Sequence, residues 1–271
     1  MAAPRRRNPE GRMSLGEHLV ELRKRLTRAA IGIVAGGIGG WFLAPLIWDA
    51  LREPILVVAA DHDAVINYDS ITGAFGVQLQ VAIVVGIVLS SPVWLYQIFA
   101  FLVPGLTGRE RRYIFGFFFS AVPMFFAGCY VGWLIFPHIV QFMSGFVPAE
   151  DASFYNANYY LDFVLKLVIA SGIAFVMPVF LVLLNFAGVI SGMTILKGWR
   201  WAIVVITIFT AAATPAADVI SMVLLAIPLI LLYFIAVGIA IWRDRAVARR
   251  LAKAEAGVTA GADDSAASVE G

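Results

Sequence analysis

Hydrophobic residues along this chain gather into six runs, at roughly 27–48, 71–97, 113–136, 161–186, 199–214 and 219–241, with short polar stretches between them. Five of these runs reach the length of about 20 residues that lets an α-helix cross a hydrocarbon core of about 30 Å. The fifth is short, and only "TPAAD", 214–218, joins it to the sixth. Such a pair spans the full thickness only where the bilayer thins or water enters. The short alternating segments of a membrane β-barrel are absent. The pattern therefore predicts an all-α polytopic membrane protein. Pro92, Pro123, Pro137, Pro178 and Pro228 lie inside or at the ends of the runs. Each removes a backbone hydrogen bond, so the six helices are expected to be kinked and to form a concave bundle.

Composition agrees. The 271 residues are 61% hydrophobic and 14% charged, too apolar for a soluble domain of this size. The single cysteine, Cys129, lies within an apolar run, so no intrachain disulfide forms. Charge orients the spans. Eighteen of the twenty Lys and Arg fall within the first 28 residues, between the second and third runs, at Lys197 and Arg200 beside the start of the fifth, or after the sixth. Arg52 and Lys166 are the exceptions. Asp49, Glu53, Asp61, Asp63, Asp69, Glu150 and Asp151 fall on the other side. The basic excess places both termini in the cytoplasm. The long outer segments, 49–70 and 137–160, carry Tyr68, Phe154, Tyr155, Tyr159 and Tyr160, residues suited to an interfacial cap.

The N-terminus does not read as a cleaved signal peptide: its charged lead is long and no small-residue cleavage site follows the first run closely. "PRRRN", 4–8, reads as solvated positive charge, and Met13 is a second candidate start. Three segments result. Residues 1–26 form a cytoplasmic segment with an amphipathic helix, 27–241 the transmembrane domain, and 242–271 a tail expected to be disordered, its last eighteen residues being small, polar and weakly acidic.

"HLVELRKRL", 18–26, contains the first candidate chemistry. Ser14 and Glu17 have capping-box spacing, so a helix is expected to start near Leu15. Leu15, Leu19, Leu22 and Leu26 share one face. Capping accounts for Glu17 but not for Glu21, which either pairs with Arg25 one turn on or accepts a guanidinium from elsewhere. Glu110, in "FLVPGLTGRERRY", 101–113, is the second such acid. It either completes a capping box with Thr107 or serves as a second acceptor. Both glutamates lie beside arginines that keep a carboxylate ionised.

"HLVELRKRL", "LSSPVWLYQIFAFLVPGLTGRERR" and "ATPAADVISMVLLAIP" stand in the order and spacing of the TatC family, and the chain resembles that family over residues 14–242. The resemblance implies the large subunit of the twin-arginine protein translocase: a receptor, not an enzyme. Such a protein binds signal peptides carrying two consecutive arginines and works with TatB and TatA. It supports export of folded proteins driven by the proton-motive force. The resemblance also implies an oligomeric assembly beside anionic lipids, with no cofactor and no nucleic-acid partner. The family's recognition glutamates fall on Glu21 and Glu110, its essential arginine on Arg23, its outer-loop proline on Pro54 and its loop phenylalanine on Phe101. Gln97 and Asp218 also match family positions. Three departures stand out, Val176, Met222 and Phe234, at positions often polar or acidic in the family. Apolar residues there remove intramembrane acids that are usually functional. Asp162 and Lys166, one turn apart, are expected to pair instead.

Two other classes fit less well. A small-molecule secondary transporter requires ionisable groups at mid-depth or broken helices in repeats, and the middles of these spans lack them. A membrane enzyme requires clustered ligands or nucleophiles, whereas His18, His62 and His138 are far apart.

Overall fold

The computed structural model describes residues 15–61, 64–102, 111–146, 153–214 and 219–267. Within them the order is α1 (Leu15–Asp61), β1 (Ala64–Asn67), α2 (Gly73–Leu89), α3 (Ser91–Leu102), α4 (Arg111–Ser144), β2 (Ser153–Asn156), α5 (Ala157–Phe186), α6 (Gly192–Lys197), α7 (Trp199–Ala213) and α8 (Val219–Ala267). Helices α1, α4, α5 and α8 are each long and apolar enough to cross a membrane, and α2 with α3 makes a fifth crossing bent by 55°. Helix α7 occupies the fifth apolar run. Its 15 residues rise only about 22 Å, short of a full hydrocarbon core. The six predicted runs are thus six helical passes.

The sharp bend falls at Ser90–Ser91, just before Pro92. Pro92 lies in the first turn of α3, where a missing N–H costs nothing. The Trp94 indole N–H reaches back across the break to the Ile87 carbonyl at 2.9 Å. The other prolines ride inside continuous helices: Pro123 and Pro137 in α4, Pro178 in α5, Pro228 in α8, and also Pro45 and Pro54 in α1.

Several boundaries depart from expectation. The amphipathic segment, the first span and the start of the outer segment are one helix of 47 residues, about 70 Å long. Pro54, expected in an outer loop, is buried inside that helix. The stretch "DALRE" before it carries good helix formers, and Asp49 pairs with Arg52 at 3.0 Å along the same helix. At the other end, α8 runs on to Ala267, so residues 242–267 are helical where a disordered tail was expected.

The passes are held by close backbone approach and by three apolar clusters. Helix α1 crosses α2 where Gly36 and Gly40 face Gly86 and Ala82. A Cβ on Gly40 would stand 2.3 Å from the Ala82 carbonyl oxygen, and one on Gly86 would stand 2.4 Å from Gly37 N. Helices α4 and α5 meet similarly: a Cβ on Gly128 would lie 2.5 Å from the Ser171 carbonyl oxygen. Small residues one turn apart let backbones meet where lipid gives no hydrophobic drive to association. The largest cluster joins α1, α2, α4, α5 and α8 through Leu51, Ile55, Val81, Phe136, Leu161 and Leu225. A second joins α3, α4 and α5 through Phe99 and Phe125, and a third joins α6, α7 and α8 through Ile195 and Tyr233. Ile31, Val34, Ile38 and Phe42 of α1, all more than 60% exposed, form a stripe facing outward, as a lipid-facing surface does.

At one face β1 and β2 pair in parallel, Ala64 opposite Ser153 through Asn67 opposite Asn156. Asn156 caps α5 by accepting from Asn158 N and Tyr159 N at 2.9 and 3.1 Å, and its amide donates to Asp69. Nearby the buried Tyr160 hydroxyl donates to the Leu51 carbonyl at 2.5 Å, tying α5 to α1 one turn before Pro54. The start of α1, the end of α3, the start of α4, the end of α5 and the C-terminal part of α8 gather at the opposite face, which is also the basic one.

Candidate functional site

The two motif segments flanking the first two passes meet at the basic face. The His18 ring, one turn into α1, stacks on the Phe101 ring in the last turn of α3, with centroids 4.5 Å apart and planes 27° apart. Further along, the close contact of Gly32 with Val93 seats α1 against α3. Phe101 was expected in a loop; it belongs to α3 and is half-buried. Gln97, one turn earlier on α3, shares its face. Its amide oxygen Oε1 is buried and has no hydrogen-bond partner among the described residues.

Glu21 follows His18 by three residues, on the same side of α1. Its Oε1 accepts from Arg25 Nε at 3.0 Å and from Arg25 Nη2 at 2.5 Å. Of the two alternatives left open for Glu21, the pair with Arg25 is therefore formed. Arg23, Lys24 and Arg28 are exposed around it, and the Arg23 carbonyl accepts from Thr27 Oγ1 at 2.8 Å. Glu110 and Asp218 lie outside the described residues, as does Thr107 of the capping box proposed with Glu110. Pro54 belongs to the other end of α1, away from this group. Helices α1 and α3 thus bring His18 and Phe101 into contact, with Glu21 three residues along α1 and Gln97 four residues earlier on α3, while Arg23 is exposed on another side of α1.

The expected pair of Asp162 and Lys166 forms at 2.6 Å on the exposed side of α5. It borders a groove of about 450 Å³ between α5 and α7, lined by Lys166 itself with Phe163, Ala170, Phe209, Ala213 and Thr214. Val176 is buried beside Phe99 and Phe125, where it fills apolar space. Phe234 is exposed on α8.

One polar cluster escaped the sequence reading. Asn185, fully buried near the end of α5, donates through Nδ2 to the Ile190 carbonyl at 3.0 Å and to Asp244 Oδ1 at 2.9 Å. Asp244 Oδ2 accepts from Gly192 N at 2.6 Å. Arg243 donates to the Asn185 and Phe186 carbonyls and lies 4.9 Å over the Phe186 ring. The middle of α8 thus clamps the turn from α5 to α6, in which Gly188 takes a φ of 73°. The available signal was a buried-type amide within an apolar run and one acid set between Arg243 and Arg245.

Six helical passes with charged and aromatic groups gathered at one membrane face define a multi-pass membrane protein whose ionisable groups sit at its surface rather than along a path through the bilayer. The profile of the Sec-independent protein translocase protein (TatC) matches residues 17–228, and the chain belongs to that family, a component of a protein translocase rather than an enzyme family. TatC of Xylanimonas cellulosilytica is 43% identical over 256 residues, covering 94% of this chain and 92% of the relative. TatC of Rothia mucilaginosa is 38% identical over 252 residues, covering 92% and 86%. A crystal structure of the twin-arginine translocase receptor TatC superposes with a TM-score of 0.70 at 31% identity, covering 82% of this chain and 97% of that one. A second, in DDM, gives 0.71 at 31% identity, with 82% and 99% covered.

Proposed function

We propose that this chain is the receptor subunit of a twin-arginine translocase and binds arginine-pair signal peptides at the face where α1 and α3 meet. The observation that carries this reading is the His18–Phe101 stack. It brings the helix bearing Glu21 to the end of α3 at Leu102, eight residues before Glu110 in the sequence. Glu21 and Glu110 each accept one peptide guanidinium. A planar fork fits a carboxylate better than an ammonium does, which favours arginine over lysine. Arg23 and the neighbouring cations repel poorly placed basic segments and hold the face against anionic headgroups. Gln97 and Phe101 line the same face. The protein sits in the bacterial cytoplasmic membrane with both ends inside, as its basic excess favours. It has no catalytic role. TatA and TatB, or one protein serving as both, join it as an oligomer to move folded cargo with the proton-motive force. Asp218 and Pro54 serve assembly or transport rather than peptide capture.

A photo-crosslinker at position 110 tests the reading. An arginine-pair precursor should be captured in intact membranes, and its lysine-pair variant should not. Equal capture of both would remove the recognition role from Glu110.

Pro54 gives a separable result. It lies 33 residues from Glu21 along one helix, about 50 Å by helical rise, at the end tied to α5 through Tyr160 and Leu51. Leucine there restores a backbone donor and straightens the turn. Pro54→Leu should leave peptide binding within about twofold of wild type and reduce export several-fold, measured as mature cargo outside the membrane. Weakened peptide binding in this variant would show that the two ends of α1 are not separable.

A further inference from the structure

Glu21 already holds a guanidinium. Arg25 brings Nε to 3.0 Å and Nη2 to 2.5 Å from Glu21 Oε1, and the two side chains remain 20% and 24% exposed. The pair is therefore reachable from solvent yet partly shielded, where a charged hydrogen bond counts for more than at an open surface. Arg23, Lys24 and Arg28 are nearby, but among the described residues none of them forms an ion pair with Glu21. Lys24 and Arg25, three and four residues beyond the acid, both have a spacing at which helix side chains meet, and Arg25 is the one that forms the pair.

On the reading that Glu21 receives a signal-peptide arginine, we infer that Arg25 is a built-in competitor for that site. It occupies Glu21 Oε1 while no peptide is bound, so a peptide that takes this oxygen displaces one guanidinium with its own cation. Freeing Arg25 costs every incoming cation the same, so the pair weakens arginine-pair and lysine-pair peptides by one common factor. The preference for arginine stays with the planar fork of the ligand itself. Arg25 sets the threshold of affinity that any ligand must exceed to occupy Glu21. Released from Glu21, Arg25 is free to pair with an acid of the peptide or with a lipid phosphate.

The test uses the full chain in lipid nanodiscs of fixed composition, at one ionic strength, with synthetic signal peptides carrying an arginine pair or a lysine pair. Arg25→Gln should tighten arginine-pair and lysine-pair binding alike, by about two- to threefold, with their ratio unchanged. Arg25→Lys, a weaker competitor, should fall between wild type and Arg25→Gln. Glu21→Gln, measured in parallel, reports on the underlying reading. Should Glu21→Gln weaken arginine-pair binding while Arg25→Gln leaves both affinities unchanged, the competitor role is wrong and the acceptor role stands. Loss of affinity for both peptides in Arg25→Gln would likewise overturn it, making Arg25 a positioning residue. If Glu21→Gln binds the arginine pair as tightly as wild type, the acceptor and competitor roles fall together. Unchanged far-ultraviolet circular dichroism of each variant excludes misfolding as the cause.

Discussion

Glutamine at both 21 and 110 is expected to remove selective capture of arginine-pair peptides while leaving the six-pass fold in place. Losing one charged partner of a hydrogen bond costs about 1.5–3 kcal/mol, roughly 10- to 100-fold in affinity. Each single variant should show that loss, and the double variant more. If the two acids act as one site, the losses will not be additive, because each needs the other to hold the peptide in register. Glutamine is the discriminating substitution: it keeps size and hydrogen bonding, and it serves a capping box as well as glutamate does. A role for Glu110 as a helix cap alone would therefore leave binding intact. For Glu21, glutamine also removes the ion pair with Arg25, but a partly exposed pair four residues apart on a helix contributes only a few tenths of a kcal/mol to stability. The measurement is peptide binding in nanodiscs at fixed ionic strength for wild type, both singles and the double. Lysine-pair binding, already weak, should change little. Undiminished arginine-pair binding in the double variant would remove both residues from recognition.

The passes were legible because a span is a composition over about 20 residues, and composition survives local irregularity. Their ends were not. "DALREP" reads as a loop by its charges, yet Asp49 and Arg52 satisfy one another along a helix face and Pro54 is accommodated inside the helix. Polar residues end a span without ending a helix. The tail shows the same difference: "RRLAKAEAG", 249–257, is polar enough to suggest disorder, but alanine is the strongest helix former, and α8 carries its helix through it. The paired strands could not be read at all. Four residues each, 89 positions apart from Ala64 to Ser153, they declare themselves only by meeting.

The candidate site divides along the same line. Glu21 was visible as an acid that capping left unexplained, and the structure formed the local pair that spacing allowed. His18 was visible as a residue but not as a contact, because its partner Phe101 is 83 positions away on another helix. Asp244 was hidden by its own surroundings. Between Arg243 and Arg245, after the last span, it reads as part of a charge run that orients the chain, while its carboxylate is spent on Gly192 and Asn185. Spacing predicts partners within one turn and stays silent about partners brought together by the crossing of helices.

Asp244→Leu is expected to destabilise the protein more than any substitution at the recognition glutamates. The change leaves two donors, the Asn185 amide and the Gly192 N–H, without the acceptor they now share. A shielded donor left unmade costs about 1–3 kcal/mol, so the loss for two is about 2–6 kcal/mol. At roughly 2–4 °C per kcal/mol for a chain of this size class, thermal unfolding in detergent should fall by about 4–24 °C. The double variant Asn185→Leu, Asp244→Leu should recover part of that loss, since removing both polar partners is milder than stranding one. The effect should travel in one direction. Arg243 stacks on Phe186, and Phe186 meets the edge of Phe117 with ring centroids 5.2 Å apart, so the clamp bears on the early turns of α4. Those turns follow directly on Glu110 in the sequence. Asp244→Leu should therefore weaken arginine-pair binding by a few-fold, less than Glu110→Gln does, while costing far more stability. An Asp244→Leu variant that unfolds within about 2 °C of wild type would mean that water replaces the carboxylate and that the clamp is not structural.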